Sequence, residues 1–192
     1  ARYGAEIQSK LTDSIRTMEQ FRETLVPVVS QAAVLLIDAL EAGQKVLLCG
    51  NGGSAADSQH IAAELVGKLA VKRRALPAIA LTTDTSNLTA LGNDFGYEAI
   101  FQRQVEALGK KGDVLIGIST SGNSPNVLAA VRTARAMGMK SLGLTGGQGG
   151  ALAGLVDCAI VVPSGNTQRI QEAHITIAHI LCELIEAHFT GR

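Results

Sequence analysis

An excess of charge is the first thing this sequence lacks. Lys+Arg and Asp+Glu each number 17 in 192 residues. That balance removes the electrostatic case for nucleic acid or an anionic membrane surface as a partner. One basic cluster exists, Lys68, Lys72, Arg73 and Arg74; it is short and reads as a solvated loop. Paired cysteines are lacking too. Cys49, Cys158 and Cys182 form no CxxC, are odd in number and sit in apolar runs. They read as reduced core thiols of a cytoplasmic protein. No stretch of about 18 uninterrupted apolar residues occurs, and no N-terminal segment reads as a signal peptide. Neither export nor a membrane span is therefore expected. Repeats, low-complexity tracts and linkers are missing as well, so the chain reads as one globular domain over 1–192, with 46% apolar residues to bury.

What is there begins with helical periodicity. Ile7, Leu11, Ile15 and Met18 recur at helical spacing, as do Val28, Ala32, Leu35, Leu36 and Leu40. They predict an N-terminal helical pair over 1–43, stopped at Gly43. From 44 the pattern changes. Short continuous apolar runs stand at 46–49, 78–81, 114–118, 141–144 and 159–162. Unbroken runs suit strands of a parallel sheet covered on both faces. Helices are predicted between them at 54–67, 97–108, 124–137 and 150–154, with a long last helix over about 167–188. This rhythm predicts an α/β fold: a three-layer αβα sandwich around a five-stranded parallel sheet, plus the N-terminal helices.

In such sheets ligands bind beyond the carboxyl ends of the strands. Four polar, glycine-rich segments follow strands here: "GNGGS" (50–54), "TTDTSN" (82–87), "STSGNS" (119–124) and "TGGQGG" (145–150). "STSGNS" offers Ser119, Thr120, Ser121 and Ser124 around Gly122 at a helix start, more hydroxyls than one cap needs, and reads as a phosphate cradle. It contains no lysine, so it is not a nucleotide P-loop, and the GxGxxG dinucleotide fingerprint is missing. After "GNGGS", His60 and Glu64 are i and i+4 and share a helix face, with Asp57 one turn earlier. Alone, such a pair reads as surface; behind a glycine loop at a strand's end, Glu64 becomes a candidate general base. On the last helix, His174 and His179 are five apart and cannot share a face. The apolar neighbours of His179 predict that it is the enclosed one. "GNDFGYE" (92–98) places Asn93 and Asp94 in a glycine-bounded turn.

These loops in this setting resemble the sugar isomerase (SIS) domain, which binds phosphosugars. Together, "GNGGSAADSQHIAAEL", "TALGNDFGYE", "GDVLIGISTSGNSPNVL" and "RIQEAHITIAHILCELIE" are similar to the phosphoheptose isomerase family over nearly the whole chain. The resemblance implies a flavodoxin-like SIS fold. It implies an aldose–ketose isomerase acting on sedoheptulose 7-phosphate, at the head of ADP- or GDP-heptose biosynthesis. Asn51, Gly52, Gly53, Ser54, Asn93 and Asp94 are then the sugar contacts, and Ser119, Thr120, Ser121 and Ser124 the phosphate contacts. Glu64 is the base and His179 its acid partner, with His60 and Gln171 also at the substrate. His60, Glu64, Gln171 and His179 are the ligands where zinc is bound. Family members are cytoplasmic homotetramers. Two positions depart from the family pattern, Lys68 where arginine is expected and Arg74 where proline is.

One expectation goes past the resemblance. About 12 Å of helix axis separates Gln171 from His179, whereas zinc–ligand bonds are about 2 Å long. The site is therefore expected to be completed across a subunit interface. Two other readings compete. Non-catalytic SIS proteins that bind the bacterial replication initiator lack a glutamate at the position of Glu64, which is present here. Sensors and isomerases of other phosphosugars commonly carry two SIS domains, for which this chain is too short.

Overall fold

The central apolar runs become strands because both of their faces are covered, while the edge run at 78–81 leaves Ile79 exposed. In the computed structural model, which describes residues 2–191, the chain runs α1 (Gly4–Thr24), α2 (Val26–Glu41), β1 (Val46–Gly50), α3 (Gly53–Val66), β2 (Ala78–Ala80), α4 (Thr85–Phe95), α5 (Ala99–Leu108), β3 (Val114–Ile118), α6 (Pro125–Ala136), β4 (Lys140–Gly146), α7 (Gly150–Ala153), β5 (Cys158–Val162) and α8 (Thr167–Thr190). The strands are all parallel, in the order β2-β1-β3-β4-β5. On one face Leu48, Ile116 and Leu142 pack against α2, α3 and α8; on the other, Leu47, Cys49 and Leu115 pack against α5 and α6. Successive side chains of a strand thus enter two different cores, so no polar alternation survives in these runs. Burial pushes the Cys49 and Cys182 thiols up to about 12, and all three cysteines are free and buried.

Strand order reverses between β1 and β3, which pair from Val46–Val114 to Gly50–Ile118. The loops after these two strands, "GNGGS" and "STSGNS", therefore flank the switch point where such sheets bind ligands.

One helix was not expected. α4 spans the segment read as a loop followed by a turn, and Asn93 and Asp94 lie in its last turn, with Gly96 closing it. Its threonines, asparagines and glycine are weak helix formers and none of its residues is buried. Its start is fixed by the Asp84 carboxylate, which accepts from the Asn87 N–H at 3.0 Å.

Candidate active site

Helix α3 carries the chemistry out of the glycine loop. Ser54 is buried in its first turn, and its third and fourth turns present His60 and Glu64. His60 Nε2 lies 3.5 Å from Glu64 Oε1, and the Glu64 side chain is only 20% exposed. Helix α8 packs alongside α3 and brings His179 to His60, with the two Nε2 atoms 2.9 Å apart and the rings edge to face. Nitrogens that close must share a proton, one donating and one accepting, or share a cation. Two imidazoles and a carboxylate are zinc-type donors by chemistry, but among the described residues the single chain does not gather three such side chains around one ion position. Gln171 meets the other end of α3: a Cβ built on Gly53 would stand 2.5 Å from the Gln171 amide nitrogen. Glu64 and His179 therefore each stand beside His60, and the fourth nominated ligand lies beside the sugar loop. Burial pushes the Asp57 carboxyl up, with His60 partly opposing it.

Across the switch point, three hydroxyls converge. Ser119 Oγ is 2.9 Å from Ser124 Oγ and 3.4 Å from Ser121 Oγ. Ser124 precedes α6 but makes no side-chain cap, so its hydroxyl is not committed to the helix. Thr120 stands half-buried beside them. Gly122 has φ +67°, and a Cβ there would lie 2.0 Å from the Gly149 carbonyl oxygen. The "TGGQGG" segment is thus a buttress behind the serine loop. Ala151 N–H donates to Asn123 Oδ1 and Leu152 N–H to the Gly122 carbonyl.

Asn93 and Asp94 are exposed, and Asn93 Nδ2 donates to Asp94 Oδ1 at 2.8 Å. Just beyond α4, Tyr97 sends its hydroxyl to Asn51 Oδ1 at 3.1 Å. Asn51 also exchanges two 2.9 Å hydrogen bonds with Asn126, a buried residue in the first turn of α6. Neither Tyr97 nor Asn126 was singled out from the sequence, because each partnership crosses the sheet edge and leaves no local pattern.

The basic cluster is not a solvated loop throughout. Lys68 and Lys72 are exposed, but the Arg73 side chain is 2% exposed. Its guanidinium donates to the carbonyls of Glu64 and Leu65, closing the end of α3 behind the candidate base. Glu186 on α8 accepts from the N–H groups of Leu69, Ala70 and Val71. Desolvation alone would push that carboxyl up; the three N–H donors and Arg73 outweigh it and hold it low. Arg74, standing where proline was expected, lies over the Phe189 ring at 4.6 Å and reaches the Leu40 carbonyl.

His174 and His179 of α8 are the reverse of the expectation. His174 is fully buried, donating from Nε2 to the Thr145 carbonyl at 3.0 Å, while Nδ1 has no partner; His179 is half-buried against α3. Burial pushes the His174 imidazole down to about 4, with its bond to Thr145 opposing. An unfolded histidine titrates near 6.5. Between about 6.5 and 4 the unfolded chain takes a proton that the folded chain refuses, so stability falls as pH falls. The loss should reach roughly 3 kcal/mol at the low end. Urea midpoints measured from pH 7 to 4.5 should show this slope, and His174→Gln, which keeps the donor but not the basic nitrogen, should flatten it.

The largest cavity, about 640 Å³, opens at the opposite edge of the sheet among Val34, Leu35, Ala39, Gln44, Gly112 and Lys140. No nominated residue lines it, and its polar groups, among them Ser30, Asp38 and Lys140, stand apart from the glycine and serine loops. The switch point is where the candidate chemistry gathers. A family model described as SIS domain matches residues 11–146. A phosphoheptose isomerase of a Nitratiruptor species is 56% identical, covering 95% of this chain and 98% of the relative. This chain belongs to the phosphoheptose isomerase family. Solved phosphoheptose isomerases share its fold. That from Neisseria gonorrhoeae superposes with a TM-score of 0.91 at 46% identity, covering 95% of this chain and 98% of that one. That from Francisella tularensis gives 0.92 at 43% identity, covering 95% and 97%. The five-stranded parallel α/β architecture expected from the sequence is the architecture of the phosphoheptose isomerase family. Among the described residues no single helix is long and apolar enough to cross a membrane.

Proposed function

We propose that this chain interconverts sedoheptulose 7-phosphate and D-glycero-D-manno-heptose 7-phosphate, the entry step to ADP- or GDP-heptose. The observation that carries the reading is the pairing of Glu64 with the His60–His179 contact on one side of the switch point and a serine cradle on the other. Ser119, Thr120, Ser121 and Ser124 hold the phosphate, and that remote grip orients the reacting carbons. Glu64 takes the proton from the ketose C1 and returns it to C2, passing through an enediol. His179 handles the proton on the sugar oxygens. Asn51, Gly52, Gly53, Ser54, Asn93 and Asp94 line the sugar. Where zinc is bound, His60, Glu64, His179 and Gln171 would hold it, and it would supply Lewis acidity toward those oxygens.

A homotetramer with sites completed between subunits goes with this reading. In the single chain, Ile7, Leu11 and Ile15 of α1 form an exposed apolar stripe, which a second copy would cover. Gln171 and His179 touch α3 at Gly53 and His60, about 10 Å apart along that helix. One chain therefore does not bring both to one ion without rearrangement. Buried, unpaired thiols suit the cytoplasm.

The test is turnover of sedoheptulose 7-phosphate in D₂O, with zinc assayed in the protein. The aldose should appear carrying deuterium at C2, as proton exchange on an enediol requires. Absence of turnover both with and without added zinc would overturn the reading.

A further inference from the structure

The two loops at the switch point are tied to each other by one pair of amides. Asn51 is the first residue after β1, and Asn126 follows the serine loop that leaves β3. Asn126 is 2% exposed. The Val127 N–H donates to Asn126 Oδ1 at 3.0 Å. A backbone N–H can only donate, so the atom facing it is the oxygen, and the orientation of the Asn126 amide is fixed. Its nitrogen must then donate to Asn51 Oδ1, while Asn51 Nδ2 donates back to Asn126 Oδ1. The Tyr97 hydroxyl takes the remaining acceptor position on Asn51 Oδ1.

Counting the amide's capacity gives a specific result. Asn51 Oδ1 already accepts twice, and one of its two side-chain N–H bonds is used. What is left to offer a ligand is one N–H donor and no acceptor. An oxygen that gains negative charge as the enediol forms is stabilised by a fixed donor and repelled by a carbonyl that could rotate into its place. We infer that Asn126 is a positioning residue that locks the Asn51 amide as a donor toward the sugar oxygens. In doing so it couples alignment of the sugar loop to the phosphate loop. This inference deepens, and rests on, the isomerase reading.

Asn126→Asp keeps an oxygen to accept from the Val127 N–H and from Asn51 Nδ2 but cannot donate to Asn51 Oδ1, so the Asn51 amide is free to turn. It should lower kcat by roughly ten- to a hundredfold, the range for misaiming one donor to a developing oxyanion. In an Asn51→Ala background the same substitution should cost nothing further, because the two residues act as a unit. Tyr97→Phe, at an exposed position that does not endanger folding, should lower kcat by about fivefold, the worth of one neutral hydrogen bond. Additive losses in the double variant would overturn the inference in favour of a merely structural amide. A readout free of turnover separates this from the isomerase reading. The Asn51 side-chain NH₂ signals in ¹⁵N spectra, assigned by their loss in Asn51→Ala, should move toward free-amide shifts in Asn126→Asp. If they do not move, the clasp is wrong whatever the substrate proves to be.

Discussion

Glu64→Gln should leave a folded chain whose turnover of sedoheptulose 7-phosphate is slower by roughly 10²–10⁴-fold, the usual worth of a positioned general base. The amide nearly matches the carboxylate in volume, and Arg73 holds the Glu64 backbone carbonyl rather than its side chain, so α3 should keep its end. The His60–His179 contact does not depend on Glu64 for its geometry, because α8 supplies His179. Thermal denaturation should therefore move little while kcat collapses. Zinc content separates two roles. Metal retained with activity lost assigns Glu64 as base; metal lost in parallel assigns it as ligand. A variant that keeps more than about a tenth of wild-type kcat, with the fold intact, would remove Glu64 from the chemistry.

Gly122→Ala should be the most damaging single methyl addition near the site. The new Cβ would stand 2.0 Å from the Gly149 carbonyl oxygen, 2.6 Å from its carbon and 2.8 Å from Thr145 Oγ1. A flexible side chain could retreat from such a contact; a backbone carbonyl set by Thr145 and by the turn into α7 cannot. The positive φ of +67° adds about 1 kcal/mol of strain for any residue with a Cβ. Together these place the loss of stability on the order of 3–5 kcal/mol. Whatever fraction folds should bind the phosphosugar poorly, since the serine loop must move off its buttress. Urea unfolding and the KM for substrate check the two halves of this expectation. A KM within about twofold of wild type would mean that the loop does not hold the phosphate.

The strands were legible because covering both faces of a parallel sheet erases polar alternation, and that erasure is itself a pattern. Loop placement followed, since the carboxyl ends of β1 and β3 meet at the switch point in this strand order. Helix α4 escaped because its apolar stripe is short: Leu88 and Leu91 are only partly buried against the core, and its start is held by the Asp84 cap. His174 and His179 were assigned the wrong way round for a different reason. Sequence neighbours of His179 are apolar, but on a helix the neighbours that count are three and four residues away. Residues 174, 177, 178, 181 and 185 form that buried stripe, and His174 belongs to it. Arg73 looked like part of a solvated charge run because its partners, the end of α3 and Glu186, are contacts of the folded chain alone. The Asn51–Asn126 clasp spans 75 residues and becomes visible only once β1 and β3 are neighbours.

The contact between His60 and His179 joins residues 119 apart. A ribosome adding roughly 5–20 residues per second needs about 6–24 s to cover that distance. Through that interval the nascent chain carries the glycine loop and α3, with His60 and Glu64, and then gains the serine loop. Helix α8 is delivered after the fifth strand, and with it the second imidazole. A partly translated chain therefore holds the serine loop before it can form the His60–His179 contact, which is among the last that synthesis makes available.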